Sequence, residues 1–110
     1  MFDERGILDH LRELSESLKD WKRYQSISLE ELRTDRDKRN MVLHALLISI
    51  QSAIDIANHI IAEKGSRKPS TCRESFEILY EEGLIPKALS EKLSDLAGFR
   101  NWFIYTGDLT

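Results

Sequence analysis

Apolar positions near the start of the chain recur at alternating steps of four and three: Ile7, Leu11, Leu14, Leu18 and Trp21. This spacing puts them on one stripe of a helix over residues 3–24, with charged side chains around the remaining surface. After a break at residues 25–27, Ser28 is followed three positions later by Glu31, a capping-box pattern that starts a new helical turn. Residues 35–64 contain neither Pro nor Gly and read as one long central helix. One of its faces carries Leu43, Leu47, Ile50, Ile54, Ala57 and Ile61, and Met41, Ala45, Ile48, Ile56 and Ile60 widen the apolar surface beyond a single stripe. A helix apolar over so wide an arc needs cover on more than one side, and a symmetric homodimer is the simplest source of it.

Residues 65–69 form a turn, and Ser70 is the expected cap of a third helix that carries Phe76, Leu79 and Tyr80 and ends at Gly83. Beyond Leu84-Ile85-Pro86, a fourth helix starts near Lys87 and turns Ala88, Leu89, Leu93, Leu96 and Ala97 inward. No segment has strand periodicity, and no repeat or low-complexity tract interrupts the chain. The expected architecture is all-α: an up-and-down four-helix bundle in one domain over residues 1–110, homodimeric.

Composition narrows the function classes. Over 110 residues, 41% are hydrophobic and 32% charged, which is ordinary globular usage. The N-terminus lacks the basic start and apolar stretch of a signal peptide, and the apolar run at residues 41–50 is too short to span a bilayer, so a cytoplasmic protein without a membrane partner is expected. The single Cys72 has no disulfide partner and reads as a filler, since no local basic pair activates it. A net charge of −3 argues against long nucleic-acid contacts, and a duplex-DNA regulator, suggested only by the short helices flanking residues 83–86, is disfavoured on the same ground. Arg67-Lys68 reads as a solvated loop that at most grazes RNA.

Chemistry concentrates in two places. His44, Gln51, Asp55 and Asn58 are spaced by seven, four and three, so they share a narrow face of the central helix, with His59 at its edge. The plainer reading is an interfacial hydrogen-bond network; the functional one is that Asp55 orients a cationic catalytic group. Asp55 with His59 supplies only two ligands and His44 lies three turns away, so no metal is expected, nor any cofactor.

The second place is Leu96-Ala97-Gly98-Phe99-Arg100-Asn101. With His44-Ala45-Leu46, the stretch from Gln51 through Asp55 and Asn58 to Ile61, Phe76-Glu77-Ile78-Leu79 and Gly83-Leu84-Ile85-Pro86, it resembles the HepT family of HEPN ribonuclease toxins, over roughly residues 35–101. The resemblance implies a dimer with a motif of Arg, four residues, His, one residue and Tyr in the cleft between copies. It also implies RNA cleavage without a metal and, in type VII toxin-antitoxin pairs, an MntA-like nucleotidyltransferase antitoxin that attaches AMP to the motif Tyr. Arg100 and Asn101 match the motif and carry the catalytic expectation, with Tyr105 beside them and Asp55, His44, Gln51 and Asn58 supporting from behind.

The chain departs from the family where the chemistry is densest. Tyr105 stands where the motif His is expected, and Gly107 where the Tyr is expected. A phenol is only ~0.1% ionised at pH 7, so Tyr105 is a poor base, although it can donate a hydrogen bond. A permitted choice of codons for residues 101–110, read one nucleotide earlier, gives Leu-Val-His-Leu-Tyr-Trp and then Leu-Asp two residues on. The tail from about Trp102 therefore reads as a shifted frame, with simple divergence as the alternative. Two functions follow: a ribonuclease toxin impaired by its incomplete motif, or a non-catalytic dimeric module that binds a nucleotide or a nucleotidyltransferase.

Overall fold

In the computed structural model, which describes residues 4–106, the helices fall in the expected order. They are α1 (Glu4–Tyr24), α2 (Leu29–Thr34), α3 (Arg36–Lys64), α4 (Cys72–Glu81) and α5 (Lys87–Thr106). The architecture is the all-α up-and-down bundle that the periodicity predicts, with α2 as a short extra turn between the first two long helices.

Local chemistry sets the helix ends. Ser28 caps α2 by accepting from the backbone N–H of Glu31, whose carboxylate accepts in return from Ser28 N–H. Asp35 closes α2 and caps α3 at once, its carboxylate accepting from the N–H groups of Asp37 and Lys38. At the far end of α3, Gly65 adopts a left-handed conformation with φ of 68°, which lets the chain turn out of the helix without a Cβ clash. The cap of α4 is Thr71 rather than the expected Ser70: Thr71 Oγ1 accepts from Glu74 N–H at 3.1 Å. Ser70 Oγ instead donates to the Glu74 carboxylate at 2.7 Å. The capping bond has to span three residues to reach Glu74 N–H, and Thr71 is the hydroxyl at that spacing.

The wide apolar arc of α3 is covered largely within the chain, which removes the sequence argument that a second copy has to supply that cover. On one side Ile50, Ile54, Ala57 and Ile61 join Phe76, Ile78 and Leu79 of α4 and Ala97 of α5 in the core. On another side lies α1, which among the described residues packs on α3 alone. Its seam is narrower than the predicted stripe, because Leu11 (45%) and Leu18 (49%) remain exposed while Ser17 is buried. A helix with one neighbour needs only a narrow seam, and small buried side chains, Ser17 on α1 and Ala45, Ser49 and Ser52 on α3, suit close approach of the two axes. α3 is long and apolar enough to cross a bilayer, properties that the core helix of a helical bundle shares.

Buried serines tie α5 to α4. Ser90 Oγ donates to the carbonyl of Phe76 at 3.0 Å and Ser94 Oγ to that of Arg73 at 3.3 Å, so α5 runs antiparallel to α4 and carries its C-terminal turns past the start of α4.

Candidate functional site at the end of α5

Between α1 and α5 the bundle stays open. Leu14, Leu18 and Trp21 form one wall and Leu93 and Leu96 the other, over a floor that includes Leu46, Ile50, Ala53 and Phe76. The groove encloses about 210 Å³ and is almost wholly apolar. Its walls remain partly in water, with Leu18 49% and Leu96 40% exposed. Leu93, Leu96 and Arg100 are spaced by three and four, so Arg100 continues the α5 wall one turn beyond the groove.

Arg100 and Asn101 are both half-buried, and Arg100 Nη1 donates to Asn101 Oδ1 at 3.0 Å. This bond holds the guanidinium close to its own helix and leaves further N–H donors for an anion. Tyr105 is 89% exposed and stands clear of that pair. Gly107 lies outside the described residues.

The polar line on α3 does not close into a single network. Gln51 Nε2 donates to Asp55 Oδ1 at 2.9 Å, joining two of its members. Asn58 accepts instead from Ser75 Oγ of α4 at 2.7 Å, and His44 is exposed. The side chain that meets Asp55 from another helix is an imidazole of α1: His10 Nδ1 lies 3.7 Å from Asp55 Oδ2, and the His10 ring sits 5.0 Å from that of His59, centroid to centroid. His10 is absent from the sequence-based site, yet its spacing from Ile7 and Leu14 by three and four places it on the α1 seam facing α3.

Arg73 was likewise invisible in the sequence. Its guanidinium lies directly against Gly98 of α5, where any Cβ would overlap Nη1, and it pairs with Asp95 at 3.3 Å. Elsewhere the charge is structural. Arg67 donates to both Glu81 oxygens, at 3.0 and 3.2 Å, and also pairs with Glu74, strapping the loop before α4 along that helix. Its own ionisation is pushed further up by the two carboxylates. Glu74 is held below its ordinary carboxyl value by the Ser70 hydrogen bond first and Arg67 second, and Glu31 is lowered chiefly by its bond from Lys38. Among the described residues no three metal-ligating side chains converge.

Comparison with known proteins places this architecture. A family model described as Ribonuclease HepT-like matches residues 14–106. The mRNA nuclease HepT of Shewanella oneidensis is 32% identical over 71 residues, 64% of this chain and 53% of that protein. The tRNA nuclease HepT of Aphanizomenon flos-aquae is 27% identical over 101 residues, 92% of this chain and 62% of its own. The chain thus spans between half and two thirds of the length of these relatives. Among solved structures, a toxin-antitoxin complex with AMP-PNP superposes with a TM-score of 0.84 at 25% identity, covering 92% of this chain and 76% of the other. The tri-AMPylated Shewanella oneidensis HEPN toxin in complex with MNT antitoxin gives a TM-score of 0.83 at 25% identity, over 100% and 79% of the two chains.

Proposed function

Because the chain belongs to the HepT-like ribonuclease family, we propose that it is the helical scaffold of a toxin-type ribonuclease, acting as a homodimer and partnered by a nucleotidyltransferase antitoxin. The observation that carries this reading is the half-buried Arg100–Asn101 pair standing at the end of an open apolar groove. A second copy seated on the groove covers the leucines of both walls and turns the rim that bears Arg100 into a cleft. In that cleft Arg100 grips an RNA phosphate in two places and offsets the charge that grows on it as the neighbouring ribose hydroxyl attacks, with no metal required for that role.

The proton of the attacking hydroxyl is the weak point. A well-placed general base contributes about 10²–10⁴-fold, and Tyr105, exposed and carrying a hydroxyl in place of an imidazole, does not supply one. Cleavage is therefore strongly impaired while the binding scaffold persists. The same exposed Tyr105 favours, as second reading, a non-catalytic dimeric module that retains a nucleotide or the nucleotidyltransferase.

The deciding experiment incubates purified protein with RNA, with and without EDTA, beside Arg100→Ala. Slow cleavage that survives EDTA and vanishes in Arg100→Ala supports the impaired nuclease. Cleavage that persists in Arg100→Ala rejects the site. No cleavage, together with a stable complex with a nucleotidyltransferase antitoxin, supports the non-catalytic module.

A further inference from the structure

We propose that the stripe of α5 that continues past the start of α4 binds single-stranded nucleic acid, with Trp102 and Tyr105 stacking on unpaired bases and the Arg73 guanidinium pairing with an adjoining phosphate. The inference rests on the reading of RNA as ligand and deepens it, because it adds contacts from Trp102 and Arg73, which lie outside the family motif, and gives Tyr105, at the position of the motif His, a stacking role in place of a catalytic one.

Gly98, Trp102 and Tyr105 are spaced by four and three and so share one face of α5. Helical rise puts Trp102 about 6 Å beyond Gly98 along the axis and Tyr105 about 4.5 Å further on. Both rings are open to solvent, Trp102 at 48% and Tyr105 at 89%, in the last turns of a helix whose inner face is packed. Trp102 is backed by Phe99, whose ring centre lies 6.0 Å away, so its indole is steadied at one edge while half of the residue stays exposed. Two large aromatic side chains left in water on adjacent turns are not the scattered single exposures of an ordinary surface. Aromatic rings offer a flat face to any base, and a neighbouring guanidinium supplies the charge that a phosphate seeks.

That guanidinium is seated one turn below Trp102 because Gly98 has no side chain. Its present partner is Asp95, at 3.3 Å, with the two side chains 51% and 77% exposed. A pair so exposed is weak, and a phosphate, with more acceptor oxygens, displaces the carboxylate. The face lies on a different stripe of α5 from Leu93, Leu96 and Arg100, so the two surfaces can be tested separately.

The test measures fluorescence anisotropy of a fluorescein-labelled RNA single strand of about twelve nucleotides, titrated with the full chain, with the same sequence as a duplex for comparison. Trp102→Ala and Tyr105→Ala should each weaken binding about tenfold, within the range known for loss of one base-stacking ring. Gly98→Ala fills the seat of Arg73 and should weaken binding without lowering Tm, because Ala is the better helix former. Asp95→Asn frees the guanidinium and should tighten binding. No binding by the parent chain, a duplex held as tightly as the single strand, or affinity unchanged in both aromatic variants overturns the proposal. Loss of binding in Arg100→Ala with the aromatic variants unaffected also overturns it, while leaving the proposed nuclease site standing. Binding that falls in the aromatic variants but survives Arg100→Ala, with no RNA cut by any variant, upholds the stacking face and counts against the nuclease reading.

Discussion

Replacing Leu96 with glutamate separates the proposed dimer from the fold. Complete burial of a leucine side chain is worth about 1.5–3 kcal/mol. Leu96 is 40% exposed within one copy, so covering the remainder recovers roughly 1 kcal/mol, and two-fold symmetry doubles it to roughly 2 kcal/mol per dimer. Leu96→Ala should therefore weaken the dimer by about ten- to thirtyfold, at 1.4 kcal/mol per factor of ten. Leu96→Glu adds two carboxylates that lose water in the interface, at several kcal/mol per buried ion, so its dimer should weaken by more than about a thousandfold. Because the position is already partly wet in the monomer, the helical circular-dichroism signal should survive both changes. Sedimentation equilibrium over a range of protein concentrations reads the association constant directly. A Leu96→Glu chain that still dimerises like the parent would show that the second copy sits elsewhere, and the cleft around Arg100 would go with it.

Tyr105→His restores an imidazole at the expected spacing from Arg100; RNA cleavage should rise at least about tenfold and disappear when Arg100→Ala is added, and a gel assay that shows no gain refutes the assignment of that position. Phe76 is 2% exposed in the core and Phe76→Ala should cost about 3–5 kcal/mol, read as a fall in the urea midpoint at unchanged slope; a loss under about 1 kcal/mol would contradict the packing described. Glu31 and Glu74 are both depressed below their ordinary value of 4.5, so the stability they add is fully present above that pH and is lost as pH falls through the lower folded-state values. The urea midpoint of the parent should therefore decline below about pH 4.5 more steeply than that of Glu31→Gln/Glu74→Gln, and identical profiles would dismiss both networks.

The helix plan was readable because its signals are local. The Ser28–Glu31 box, Gly65 and the Pro86 boundary each act within a few residues of the backbone they shape, and all stand where expected. The shift of the α4 cap from Ser70 to Thr71 is a choice between adjacent hydroxyls that both serve as caps, and local propensity, which ranks Ser first, does not decide it. What stayed hidden depends on pairs remote in sequence. His10 meets Asp55 across two helices, and Arg73 meets Gly98 only because Ser90 and Ser94 fix how α5 lies on α4. The buried seam of α1 is turned by roughly 40° from the expected stripe for the same reason. Ile7, Leu14 and Trp21 belong to both a leucine-rich series and one running through His10 and Ser17, and periodicity alone cannot tell which of the two faces a neighbour.

That α1 is attached through one seam among the described residues has a dynamic consequence. Each other long helix touches at least two elements, whereas α1 can leave by giving up one seam, with the α3–α4–α5 core still closed behind it. Amide hydrogens of α1 should then exchange with solvent as a block, well before those around Ile54 and Ala97. Each such opening uncovers Ala45 and Ser52 and removes one wall of the groove, so any copy bound there acts as a clasp on the first helix and slows its release.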